Sequence, residues 1–320
     1  NAAASESPLM HVYDLWHAAI NSRGQFFNAD DPASIVAAFK SVFRDILGKS
    51  ASSAALAANS TSVQINTKVF QAKFESSDWS GQLIAYPVNA DGSTGNAVWD
   101  AAKLVPVPGE RRISSWNGSA GKAFANCTAD LSPEQQAWLN QDPAGNVDGK
   151  CQLRIDWLRG SDAHEARKEG GSFRDRLKKV SDTVYEPWVL GDMINSDPLY
   201  VKDENYGYAA AGSAMPERSS YAAFVADKKS SDRPAMVYIG ANDGMLHGFD
   251  AVTGVERMAH VPAAVMPRLN RLMDRAYSHN YYVDGSPNAG DAYLNGSWKT
   301  VLVGGLAAGG KAVYALDVTA

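Results

Sequence analysis

No stretch of this sequence approaches the roughly 20 consecutive apolar residues that a membrane-spanning helix needs. Basic residues are not in excess: 30 Lys and Arg face 35 Asp and Glu, for a net charge of -5. That balance argues against the non-specific nucleic-acid binding that basic surfaces drive. The chain holds 2 cysteines and 6 histidines, with no CxxC and no Cys/His cluster. A zinc-type ligand set is therefore not written into it. Nor does a Ser/His/Asp or Cys/His set announce itself.

What is present is a composition that forms a core. Hydrophobic residues make up 45% and charged residues 20% of 320, enough for one large domain or two modest ones. The 27 glycines, 8 tryptophans and 13 tyrosines lean toward β structure with many turns. The chain starts at Asn1 rather than Met, which fits a removed signal peptide or a fragment. It closes where a strand hands over to a turn, and so reads as a piece cut from a longer polypeptide.

Helical spacing is confined to the first part. Val12, Leu15, Trp16 and Ala19 share one face, and Ile35, Phe39, Val42, Phe43 and Ile46 form another behind the Asp31 cap and Pro32. An Ala/Ser-rich linker is expected over 51–62. From Val63 the period becomes two. Phe70, Ala72 and Phe74 make one strand, and Leu83, Ala85 and Pro87 the next. Ser132 and Pro133 open a short helix. Residues 160–179 mix both charges with glycines and read as an exposed loop with a solvated basic face. Strands are expected at 198–201 and 221–225. Residues 263–276 fit a helix.

Two late hairpins repeat each other: Val237-Tyr238-Ile239-Gly240 returning through 246–254, and Val301-Leu302-Val303-Gly304 returning through 313–319. Asp250 and Asp317 fall in register. Repeated hairpins closing on Asp-x-x-Thr are the pattern of propeller blades. The fold expected is mainly β: a partial β-propeller preceded by a short helical segment. Residues 1–62 are the helical connector and linker. Residues 63–183 hold the first β blade or blades with a disulfide-bracketed insertion. Residues 184–320 hold propeller blades, incomplete at the C-terminal end.

Cys127 and Cys151 bracket a Pro-, Asp- and Gly-bearing stretch. They fit a disulfide formed in an oxidising compartment; two unrelated buried thiols are the alternative. Asn89-x-Asp91-x-Ser93 with Asp100 superficially follows an EF-hand loop, but Thr94 stands where glycine is needed, so a β-turn is expected. Gly305 to Gly310-Lys311 follows most of a phosphate loop, then meets Ala312 and a β run, so its glycines serve a wide hairpin turn. Arg23-Gly24-Gln25 lacks the carboxylate of an integrin motif and reads as a helix-ending turn. His247 reads as structural, on the outward side of its strand. Asp192, Asp197, Asp243, Asp250, Asp284, Asp291 and Asp317 read as turn carboxylates bonded to backbone amides two residues on.

The stretch ANDGMLHGFDAVTGVE at 241–256 resembles the blade motif of quinoprotein-like propellers, which names a fold and not a function. LGDMINSDPLYV at 190–201, YYVDGSP at 281–287 with WKTVLVGG at 298–305, and DLWHAA at 14–19 with Gly24-Gln25-Phe26-Phe27 resemble the PilC/PilY family of type IV pilus tip proteins. The resemblance is weakest over 94–159. It implies a secreted, non-enzymatic protein at the pilus tip, cell surface or outer membrane of a Gram-negative bacterium. Such a protein supports pilus extension against retraction and attachment to surfaces. It implies minor and major pilins, other pilus machinery, and host or abiotic surfaces as partners, and no nucleic acid. The family's calcium sits on an acidic Asp-x-Asp-x-Asp-x-x-x-Asp loop. That run does not occur here, so no metal, cofactor or catalytic residue is expected within this chain. Two readings stand beside it: a dehydrogenase propeller carrying pyrroloquinoline quinone, and a scaffold propeller of outer-membrane assembly.

Overall fold

Alternating side chains around Phe70 and Leu83 have the period of a half-buried strand, and both segments form one. The computed structural model describes residues 53–58, 68–89, 93–210, 216–230 and 232–319. β1 (Ser53–Ala58), β2 (Lys68–Glu75), β3 (Ser80–Pro87) and β4 (Trp99–Asp100) form an antiparallel meander in that order. The connector helices expected near Leu15 and Phe39, the Arg23 turn, His11 and His17 lie outside the described residues. Within the stretch expected to be linker, Ser53–Ala58 is a strand instead. It pairs with β2 from Ser53↔Lys73 to Ala58↔Val69, so backbone partners override a composition that signals flexibility.

The central sheet has six strands. β5 (Ile113–Trp116) and β6 (Gly121–Ala123) come first in the chain, followed by a separate ribbon of β7 (Leu177–Lys179) and β8 (Tyr185–Pro187). β9 (Leu199–Val201), β10 (Met236–Ala241), β11 (Met245–Asp250) and β12 (Glu256–Val261) then form a four-stranded antiparallel meander, the pattern of a blade. β5 adds to its outer edge in parallel with β12, from Ile113↔Ala259 to Ser115↔Val261. A third sheet joins β13 (Asn288–Leu294), β14 (Ser297–Gly305) and β15 (Val313–Asp317). The glycine-rich stretch at 305–310 is the turn between β14 and β15 and contains a short 3-10 helix, Ala307–Gly309.

Four α-helices lie among the described residues: α1 (Cys127–Asp130), α2 (Pro133–Leu139), α3 (Cys151–Leu158) and α4 (Arg218–Ser230). α2 begins as expected: Ser132 Oγ accepts from the Gln135 amide while the Gln135 side chain accepts from the Ser132 amide. Residues 221–225 are not a strand but part of α4. Tyr221, Val225 and Lys228 are its buried residues, a helical spacing that a β-rich local composition hides. A 3-10 helix, Ala263–Met273, fills the insertion after β12. No helix among the described residues is long and apolar enough to cross a membrane.

β10 is buried on both faces. Val237 and Ile239 pack with Phe249 against Phe70 and Leu83 of the first meander. Tyr238 turns the other way, into a cluster with Leu246, Leu139, Ile155, Val265 and Leu269. Each such side chain contributes about 1.5–3 kcal/mol.

β12 also carries a buried imidazole. His260 Nδ1 lies 3.1 Å from Ser114 Oγ, and its ring centroid is 5.7 Å from that of Tyr314 on β15. Burial pushes its pKa down from 6.5 to about 4. The fold therefore holds it neutral. Its contribution is complete above pH 6.5 and is lost as pH falls toward 4. We expect His260 to cost roughly 2 kcal/mol of stability between pH 7 and pH 5. Urea unfolding of H260N at the two pH values checks this: the variant should lack that part of the slope, and an unchanged slope refutes it.

Candidate functional site

The β10–β11 turn is where three chain segments meet. Gly244 takes φ +96 there, a left-handed conformation suited to glycine. Gly191 crosses so close that a Cβ on it would sit 2.7 Å from the Asp243 amide nitrogen. Its own amide donates to Asp243 Oδ2 at 3.0 Å. The β2–β3 turn approaches by the same device, since a Cβ on Gly81 would lie 1.9 Å from the Gly191 oxygen.

Behind this junction runs a buried charge chain. Arg111 donates through Nε and Nη2 to the two oxygens of Glu256 at 2.6 and 2.8 Å. Glu256 Oε1 is 2.7 Å from His247 Nδ1, and His247 Nε2 is 3.1 Å from both Asp243 oxygens. His247 is thus fully buried rather than outward. Burial alone would push its pKa down, but Asp243 and Glu256 outweigh that and raise it to about 9. Burial pushes Glu256 up, but Arg111 and His247 hold it down to about 2. Near neutral pH Asp243 and Glu256 are carboxylates and His247 is an imidazolium whose two N–H groups are both engaged by them.

In front of the junction lies a small cavity lined by aromatic and charged side chains, including Trp79, Trp157, Trp188, Arg174, Asp192 and Tyr277. Trp79, at φ +57 in the β2–β3 turn, stacks on His279 with ring centroids 3.8 Å apart. His279 Nε2 lies 2.8 Å from Asp192 Oδ2, which also accepts from Asn242 Nδ2 at 2.7 Å. Arg176 is fully committed: Nε to Glu165 Oε1, Nη1 to the Trp157 carbonyl and Nη2 to the Ser161 carbonyl, at 2.6–2.8 Å. Burial lowers its pKa to about 10. The stretch expected as an exposed basic loop is therefore turned inward at Glu165, Phe173 and Arg176, all buried. One of the interleaved acids, Glu165, is the internal partner of Arg176, whereas Asp162 and Asp175 meet Arg167 nearer the surface.

Cys127 and Cys151 form a disulfide with Cα atoms 6.0 Å apart. It ties α1 to the start of α3, the helix whose last turn brings Trp157 and Leu158 to the cavity wall. The turn carboxylates divide into two groups. Asp243, Asp250 and Asp317 accept from amides two residues on, as expected. Asp192, Asp197, Asp284 and Asp291 instead hold distant segments: Asp284 receives Asn195, Asp197 receives Ser286, and Asp291 receives Lys228, Tyr221 and Thr300. In the EF-hand-like stretch, the Asn89 amide donates to the Ser93 carbonyl at 2.8 Å, closing a turn.

Calcium needs six to eight oxygens at short range. Among the described residues no group of three or more His, Cys, Asp or Glu side chains is placed to hold a metal ion. The carboxylates nearest the cavity are already occupied by histidine, asparagine and amide donors, so they do not fit a calcium site. The disulfide joins residues 24 apart in sequence, so it is not the vicinal bridge found in many quinone-bearing propellers.

Comparison with known proteins points one way. The family model of the PilY1 β-propeller domain matches residues 190–320. A type IV pilus biogenesis factor PilY1 of Pseudomonas aeruginosa is 39% identical over 335 residues, covering 99% of this chain and 27% of that protein. A PilY1 homolog of Xylella fastidiosa is 36% identical over 92% of this chain and 22% of its own length. The chain thus spans about a quarter of the curated relatives it matches. No solved structure matches it significantly.

Proposed function

We propose, from the premise that this chain belongs to the PilC/PilY1 family, that it is a propeller-bearing segment of a factor that builds type IV pili. In this reading it supports pilus extension and surface attachment by binding other components, without enzymatic activity. Minor and major pilins and other pilus machinery are the partners proposed, with host or abiotic surfaces beyond them. The proposed place is outside the cell, at the pilus tip or bacterial surface. The observation that carries the reading is the 39% identity to the Pseudomonas aeruginosa biogenesis factor across 99% of this chain. A disulfide in the described fold agrees with an oxidising compartment. The family's calcium is proposed to bind outside this segment.

The test is a replacement. In Pseudomonas aeruginosa lacking its own copy of the matching segment, the full-length factor carrying this chain in its place should restore surface pili and twitching. Deletion without replacement should not. Stable expression of the hybrid with no pili would refute the reading. The dehydrogenase alternative has its own readout: substrate-dependent dye reduction after adding pyrroloquinoline quinone and calcium would establish it, and we expect none.

A further inference from the structure

The arginine beside Arg176 is used quite differently. Arg174 donates through Nε to the Leu272 carbonyl at 2.9 Å, and its guanidinium lies 4.1 Å from the Tyr277 ring centre and 5.7 Å from that of Trp157. Its two terminal nitrogens take part in no hydrogen bond or ion pair among the described residues. Arg174 is partly buried and lines the cavity in front of the β10–β11 turn. A partly desolvated guanidinium whose terminal nitrogens meet cavity solvent and no paired anion gives up part of its hydration, and ring faces offset only part of that cost. Burial accordingly lowers its pKa.

The cavity's own acids are not free to pair with it. Asp78 accepts from the Ser80 and Lys179 amides. Asp192 receives Asn242 and His279, and Asp243 receives Gly191, Met245 and His247. The charges of Asp243 and Glu165 are met by His247 and Arg176. What remains unfilled is an acceptor facing the Arg174 fork. Guanidinium N–H pairs match carboxylate oxygens two to two. The cavity volume is about 30 Å³, against roughly 10–15 Å³ for one water in the same measure. That admits a head group of a few heavy atoms and no cofactor.

We propose that this cavity is a carboxylate-binding site, in which the terminal N–H groups of Arg174 clamp one carboxylate between the Trp157 and Tyr277 walls. The inference rests on the geometry of this segment alone and is independent of the pilus reading. Its carboxylate comes from a free small acid or from the acidic end of a peptide, and the test separates the two.

Trp79, Trp157 and Trp188 line the site, so tryptophan emission reports on it. The protein is titrated with acetate at constant ionic strength against chloride, with acetamide as the neutral isostere. In parallel, a glycine tripeptide with a free carboxyl end is compared with its C-terminal amide. A saturable change with acetate or the free tripeptide, at least tenfold weaker with acetamide or the amide, is the expected result. A tighter tripeptide assigns the source to a peptide end, and acetate alone assigns it to a small acid. R174Q should weaken the response at least tenfold while its far-UV spectrum is kept. Equal response to acetate and acetamide in the unmodified protein overturns the proposal whether or not R174Q folds, as does an R174Q response equal to the parent's.

Discussion

Replacing Glu256 by alanine is expected to destabilise the fold by about 3–5 kcal/mol, the usual cost of removing one partner from a buried ion pair. Arg111 and Glu256 side chains are each 1% exposed, so the guanidinium has no route to water once the carboxylate is gone. His247 also loses one of its two anions. The effect has a pH signature. His247 has a folded pKa of about 9 against 6.5 unfolded, so its stabilisation is complete below pH 6.5 and is lost as pH rises through 9. Glu256 runs the other way: its contribution is complete above pH 4.5 and is lost as pH falls toward 2. The parent protein should therefore lose stability between pH 7 and 9, and E256A should lose less over that interval. Urea titrations at pH 7 and pH 9 decide it. A loss under 1 kcal/mol at pH 7 with the parent's slope retained would mean that the charge chain is not closed as described. Replacing all its members together by apolar residues of similar volume is a different experiment, because buried ion pairs often break even against such replacements.

Removing the disulfide comes next in size. Cys127 and Cys151 close a loop with a sequence separation of 24. Loop-closure entropy in the unfolded chain then makes the bridge worth roughly 3–4 kcal/mol. The double variant C127S/C151S should show that loss in chemical denaturation. It should also loosen the packing of α1 and α2 on α3, whose Arg154 holds Asp148 of the α2–α3 loop at 2.6 Å. Amide exchange in α2 should rise while the β10–β11 hairpin keeps its protection. Unchanged denaturation would show that packing of Leu139 on α2 against Ile155 on α3 holds these helices together by itself.

The parts of this fold that were legible in sequence are those whose partners are close along the chain. The β10–β11 and β14–β15 hairpins, the Ser132 cap and the Asp250 and Asp317 turns need only a few neighbouring residues to be recognised. The charge chain was not legible because Arg111 meets Glu256 across 145 positions, and nothing near either residue marks the other. His247 sits beside a glycine in a strand motif, which hides that both its nitrogens are taken. The arginine stretch misled for a physical reason: acids between bases signal solvation when they face out, but Glu165 turns in to meet Arg176. α4 is hidden in the sequence because Tyr221, Phe224 and Val225 suit a strand by type, whereas the spacing of Tyr221, Val225 and Lys228 suits a helix.

The parallel edge between β5 and β12 sets an order of events during synthesis. Ser114 and His260, which face each other across it, are 146 residues apart. At roughly 5–20 residues per second, β5 emerges on the order of ten seconds before the strand that will cover its flank. Throughout that interval β5 lacks its β12 partner, and its unpaired amides and carbonyls are the kind of template on which chains join one another. Newly made chains crowded together should therefore be able to mis-associate through β5, and a holding chaperone that recognises extended strands would act there.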